Sequence, residues 1–200
     1  MPHSPAESAA DGDLTPFPKL LPRLLTAGGA LGLVAAFVLA VEKIALLKNP
    51  AYVPSCSINP VLSCGSVMST PQAEVFGFPN PLLGVVAFAV VTTVGVTLLA
   101  GARLPRWFWL GLQAGVTFGV VFVHWLIYQS LYVIGALCPY CMLVWAVTVP
   151  LFWYVTLRNL ARLPAARRAA AYHGVVVTVW FLAVITAIGV RFWSYWSTLL

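Results

Sequence analysis

The sequence predicts an all-α, polytopic membrane protein: one bundle of five transmembrane helices. Three observations predict the helical membrane bundle. The chain is 61% hydrophobic and 8% charged, with mean hydropathy +0.93, well outside the range of soluble domains. Five apolar runs approach the roughly 20 residues that a helix rising about 1.5 Å per residue needs to cross about 30 Å of hydrocarbon. The runs are too long and too continuous for barrel strands, so their backbone groups must be satisfied internally, as helices.

In chain order, residues 1–22 carry Pro2, Pro5, Pro16, Pro18 and Pro22 with Glu7, Asp11 and Asp13. That composition predicts a disordered cytoplasmic tail. A cleaved signal peptide is the competing reading. Against it stand an apolar run too long for one, an acidic leader and no small-x-small site before Glu42-Lys43. Residues 23–200 then form the integral membrane domain. Its predicted spans are Leu24–Leu47, Pro81–Ala100, Trp107–Tyr128, Leu131–Leu157 and Gly174–Trp196. Between the third and fourth, only Gln129-Ser130, Gly135 and Pro139 signal a turn. No internal repeat or second domain is predicted.

Basic residues set the orientation, because short cytoplasmic loops hold the excess of Lys and Arg. Lys19, Arg23, Arg103, Arg106, Arg158, Arg162, Arg167 and Arg168 fall on one side, eight of the eleven Lys and Arg. Lys43, Lys48 and Arg191 fall on the other. The amino terminus is therefore expected inside and the carboxyl terminus outside. The net charge of +6 follows from topology and asks for no nucleic-acid partner.

With this orientation the loop 48–80 and the start of the fourth span reach the same, oxidising side, and with them all four cysteines. Cys138-Pro139-Tyr140-Cys141 puts two thiols three residues apart on one helical face, close enough for a disulfide. Pro139 suits a first helical turn, and the helix N-terminus favours a reactive thiolate. Cys56 and Cys64 lie in a polar loop, with Asn59-Pro60 and Gly65 as turn formers. Two pairs in series can pass electrons by thiol exchange from a soluble partner, through the loop pair and the membrane pair, to a lipid-soluble quinone. Two other readings stay open: structural disulfides in a non-enzymatic scaffold, and a four-thiolate metal site.

The loop C-x7-C, then Phe76-Gly77-Phe78-Pro79-Asn80-Pro81 entering a span, then Leu131 to Leu137 before the C-x-x-C, resembles the vitamin K epoxide reductase family, its bacterial members in particular. The resemblance covers roughly Leu24 to Leu157, and it implies a four-helix core around a quinone site with the fifth helix beside it. It implies an enzyme of the bacterial cytoplasmic membrane that reoxidises a separate extracytoplasmic thioredoxin-fold disulfide donor and reduces menaquinone or ubiquinone, with no metal. It further implies that Cys56 meets the donor, that Cys64 forms a mixed disulfide with Cys138, and that Cys141 faces the quinone. Asn80 matches the family asparagine that bonds a quinone carbonyl.

Trp145 stands where vertebrate members carry a quinone-holding tyrosine, and its indole N–H is a candidate donor. The fused thioredoxin-like domain of many bacterial members does not follow the fifth span here, so the donor is expected to be a separate protein. Epoxide reduction has no sequence support of its own. His124, ionisable within a span, is a candidate proton relay to the quinone. His173 is expected to be simply solvated. Gly111, Gly115 and Gly119 are expected to let a neighbouring helix pack closely. Residues 67–78 resemble the family's amphipathic half-helix, with Val67, Met68, Val75 and Phe76 as a cap on the quinone site. Glu42 and Lys43 are expected only to mark the membrane interface.

Overall fold

The computed structural model describes residues 17–198. Residues 1–16 of the expected tail lie outside the described residues, and Leu20 to Pro22 already belong to the first helix. Five helical segments are long and apolar enough to cross a membrane, as expected. They are α1 (Leu20–Lys48), α3 (Asn80–Leu99), α4 (Arg106–Tyr128) with its continuation, α5 (Pro139–Asn159) and α7 (His173–Arg191). Short helices α2 (Cys64–Met68), α6 (Pro164–Ala171) and α8 (Trp193–Trp196) join them, together with a 3-10 turn at Pro71–Glu74.

The third span ends later than the sequence suggests, and the fourth begins later. Helix α4 runs on through a π-helical turn, Gln129–Ile134, and closes at Gly135 with φ +71°. That left-handed conformation suits glycine, which has no Cβ to clash. Leu131 to Ile134 therefore belong to the third span, and α5 starts at Pro139. The expected half-helix 67–78 is likewise two pieces, the end of α2 and the 3-10 turn.

Helix α1 is the spine, packing along α3 on one side and α5 on another, while α5 also packs along α4. Glycines make the α1–α3 seam tight. A Cβ at Gly29 would lie 2.9 Å from the Thr92 nitrogen, and one at Gly95 would lie 2.4 Å from the Thr26 nitrogen. Close backbone approach of this kind drives helix association in lipid, where apolar burial gives no preference for protein over tails. The inner core combines Leu25, Phe88, Val91, Trp109, Leu151 and Val155 from all four helices.

Helix α7 is different: it has no buried residue among those described, and polar contacts tie it to the bundle. His173 Nδ1 bonds the Tyr154 hydroxyl and its ring meets Phe17, so this histidine is a packed partner rather than a solvated one. Trp180 Nε1 donates to His124 Nε2 at 2.9 Å, and Arg191 Nε donates to the Leu131 carbonyl at 2.8 Å. Positions 173, 180 and 191 are spaced to share one helical face, so the three contacts act as latches along it.

Candidate functional site

Local hydrogen bonding folds the loop between α1 and α2 around its cysteines. Asn59 Oδ1 accepts from the Val61 and Leu62 amides at 3.0 and 2.7 Å, an Asx turn that reverses the chain. The Ile58 amide donates to the Leu62 carbonyl at 2.8 Å, and the Gly65 amide donates to Ser57 Oγ at 3.1 Å. Cys56 and Cys64 are brought together by these bonds and are joined as a disulfide.

A second set of bonds docks this loop onto the redox segment of α5. Leu62 and Leu137 form a parallel bridge, in which the Leu137 amide donates to the Val61 carbonyl at 2.7 Å and the Ser63 amide to the Leu137 carbonyl at 2.8 Å. The register sets Cys64, one residue beyond Ser63, against Cys138, one beyond Leu137. Their Sγ atoms are 2.8 Å apart, and both residues are fully buried. Cys138 is the N-cap of α5 with Pro139 next in the first turn, and Cys141 follows one turn later. Cys138 and Cys141 are free thiols.

The Cys141 thiol, as donor, holds the Cys138 pKa below its ordinary value. Burial opposes this, and the backbone amides of Cys141 and Tyr140 add to the lowering. Cys138 is thus suited to be the thiolate of the pair. Attack of a thiolate on a disulfide sulfur through a mixed disulfide is the exchange that this contact permits. The sulfurs of Cys56, Cys64 and Cys138 lie within 4.8 Å of one another, a spacing that could also hold a soft metal. The Cys56–Cys64 bond, however, removes two of the three thiolates that such a site would use.

Cys141 opens onto a cavity of about 590 Å³, walled mainly by apolar side chains of α1, α3, α4 and α5 and covered by α2 and the 3-10 turn. Helices α3 and α4 do not pack along one another, and the cavity lies between them. Gly111, Gly115 and Gly119 line it. A Cβ added at Gly111 or Gly115 would meet nothing within 4 Å, so these two shape the cavity rather than pack against a helix, whereas one at Gly119 would lie 3.7 Å from Thr148 of α5, as the expected close packing requires.

Two of the three expected quinone-contacting residues line this space. Asn80, the first residue of α3, donates through Nδ2 to the Gln72 carbonyl at 2.7 Å and accepts the Val75 amide at 3.2 Å, so it also fastens the covering turn. Trp145 is buried in the wall. His124 is not brought to the cavity: it is exposed on the outside of α4, with Nδ1 bonded to the Val120 carbonyl at 2.7 Å and Nε2 to Trp180. Of the expected cap residues, Val67 and Met68 line the cavity; Val75 and Phe76 do not, and the Phe76 ring meets Phe118 and Phe122 of the wall at a tilt.

Glu42 and Lys43 do more than mark an interface. Both are buried, at 7% and 5% exposure, and each anchors a different part of the cover. Glu42 accepts from the Tyr52 hydroxyl at 2.8 Å and from Ser55 Oγ at 2.6 Å, tying down the chain that leads into Cys56. That bond pushes the Tyr52 phenol above its ordinary pKa. Lys43 Nζ donates to the Met68 carbonyl at 2.7 Å and pairs with Glu74 at 2.9 Å. The signal was present in the sequence: two adjacent charges in an otherwise apolar helix are expensive unless paired or used.

A disulfide in the loop between α1 and α2, a thiol at its elbow and a second thiol on an apolar cavity are the parts of a membrane oxidoreductase that works through sulfur. The chain belongs to the Vitamin K epoxide reductase family, whose sequence profile matches residues 23–156. Membership makes it a multi-pass membrane oxidoreductase. No curated protein matches the chain.

Proposed function

We propose that the protein is a thiol:quinone oxidoreductase of the bacterial cytoplasmic membrane. It oxidises a separate extracytoplasmic thioredoxin-fold donor and delivers the electrons to a menaquinone or ubiquinone. The observation that carries this reading is the continuous sulfur path: the Cys56–Cys64 disulfide, Cys64 Sγ 2.8 Å from Cys138 Sγ, and Cys141 on the apolar cavity. The amino terminus lies inside and the carboxyl terminus outside, which puts the loop 48–80 where a secreted donor can reach it.

In the forward cycle the donor dithiol attacks Cys56, and the donor leaves as a disulfide with Cys56 and Cys64 reduced. Cys64 then attacks a Cys138–Cys141 disulfide at Cys138, forming a mixed disulfide and freeing the Cys141 thiolate. Cys56 resolves that bond, which returns the loop disulfide and leaves Cys138 and Cys141 as thiols. Quinone accepts the electron pair and both protons from that dithiol, so one disulfide forms for each quinol. Asn80 and Trp145 orient the quinone at the cavity wall, where donors aimed at its oxygens favour the developing charge.

Reduced protein in lipid, mixed with a menaquinone analogue, is expected to yield one quinol per Cys138–Cys141 disulfide formed. Absence of quinol would end the reading. The order of steps is tested separately: in Cys141→Ala the Cys138 thiolate attacks the Cys56–Cys64 disulfide at Cys64 with Cys56 leaving as a thiolate, and the Cys64–Cys138 bond is expected to accumulate, detected by mapping disulfide-linked peptides.

A further inference from the structure

Lys43 is a buried cation that the sulfur path does not use. It lies at the outer end of α1, 5% exposed, on the same helical face as Leu39 and Leu46. Leu39 packs with Met68 among the sulfurs of Cys56, Cys64 and Cys138, and Cys141 and Leu46 border that cluster. The ammonium therefore sits one residue from the sulfur cluster, and Lys43 and Cys141 line the same cavity.

An ammonium has three N–H donors. One goes to the Met68 carbonyl and one to Glu74, whose carboxylate is 37% exposed at the outer surface. Holding α2 against α1 would need only a neutral donor on the Met68 carbonyl. A charge kept in an apolar cavity is costly, and groups of this kind in membrane proteins mark sites of charge movement. Asn80, with one amide N–H on the Gln72 carbonyl and its oxygen on the Val75 amide, is neutral and brings no charge to the cavity. Among the titratable side chains that line it, Lys43 is the cation.

We propose that Lys43 is a catalytic residue, the cationic ligand of the quinone, with its remaining N–H placed on the quinone oxygen that becomes negative as the electron pair arrives. The inference rests on the quinone reading above. In the step concerned, the S–H bonds of Cys138 and Cys141 break, the S–S bond between them forms, and the electron pair enters the quinone. The two thiol protons end on its two oxygens. Negative charge stands on one oxygen until its proton arrives, and the ammonium beside it offsets that charge. Glu74 fixes the ammonium from the outer side.

The test uses the full chain in lipid nanodiscs with a small dithiol as donor and a soluble menaquinone analogue as acceptor. Wild-type protein that gives no quinol takes down both the quinone reading and this one. With wild type active, Lys43→Gln is expected to lower kcat about 100-fold with the KM for the dithiol unchanged, the scale of losing one preorganised charge partner. Lys43→Arg is expected to keep activity within about tenfold, because it keeps the charge. Glu74→Gln, which leaves Lys43 on the Met68 carbonyl, is expected to cost less than about tenfold.

In a Cys141→Ala background, Lys43→Gln is expected still to accumulate the Cys64–Cys138 bond, since that exchange precedes the quinone. Wild-type kcat in Lys43→Gln would overturn the proposal. So would an equal loss in Glu74→Gln or a lost Cys64–Cys138 bond, because either result would make Lys43 a fastener of the cover and nothing more.

Discussion

Two helix pairs in this bundle carry glycine for opposite ends. Along the α1–α3 seam, Gly29, Gly32 and Gly95 let backbone meet backbone or ring, and a Cβ at Gly32 would lie 2.5 Å from the Phe88 ring. Along α4, Gly111 and Gly115 face empty space in the cavity wall. The same residue type closes one side of the bundle and keeps the other open. Spacing in the sequence does not tell the two apart, because what differs is the partner helix and not the stripe. The seam is where the fold holds, and the open side is where the cavity lies.

The largest expected effect breaks that contrast directly. Gly95→Leu puts a side chain into the Thr26 backbone, and overpacking of this kind costs about 1–3 kcal/mol, occasionally more. Purified Gly95→Leu is expected to unfold well below wild type in a thermal melt or to fail to accumulate. Gly115→Leu is expected to melt as wild type does, yet to raise the quinone KM about tenfold by filling the cavity. Equal melting losses at both positions would erase the distinction between seam and wall.

Asn80→Ala comes next, because this residue belongs to both functions of the open side. It holds the covering turn through Gln72 and Val75 and presents an amide to the cavity. Loss of one oriented donor commonly costs about 10²-fold or more in rate, so quinone turnover is expected to fall on that scale. The Cys56–Cys64 disulfide should be unaffected, as mass mapping would show. Unchanged turnover would confine Asn80 to holding the cover.

A smaller effect separates the sulfur end from the cavity. Cys138 is held below the ordinary thiol pKa chiefly by the Cys141 thiol. A lowered pKa means that the thiolate is already populated at lower pH, so alkylation of Cys138 is expected to reach half its maximal rate below the usual thiol range. In a background with Cys56→Ala and Cys64→Ala, where Cys138 cannot be captured as a disulfide, Cys141→Ala removes the donor and should move that midpoint upward. An unmoved midpoint would assign the lowering to the helix amides alone.

The five spans were legible because run length alone decides them, and the meeting of the two cysteine pairs was legible because spacing and the alternation of spans bring the loop and the start of α5 to the same end of the bundle. The junction after Tyr128 was not. Apolar residues continue without interruption there, and only the π turn and the αL glycine, Gly135, decide that Leu131 to Ile134 extend the third span. The sulfur contact itself depends on a single parallel bridge, Leu62 to Leu137, between segments 75 residues apart. Nothing local in either segment announces that pairing. Asn80 and Trp145 fell on the cavity because each sits at a helix position that faces it, whereas Glu42 and Lys43 were read as interfacial because their partners come from the loop.

His124 gives the smallest expected effect and the finest test of the contrast. It lies on the outer face of α4, away from the cavity lining, and joins α7 through Trp180. Interhelical hydrogen bonds in membrane proteins average about 0.6 kcal/mol, and two further latches, at His173 and Arg191, remain on α7 when this one is cut. His124→Phe is therefore expected to lower the melting temperature only slightly and to leave quinone turnover within about twofold of wild type. A loss of tenfold or more with an unchanged melt would mean that this imidazole reaches the acceptor after all. The open side would then extend around α4 to the fifth span, and the division between a wall that binds and a face that merely packs would no longer hold.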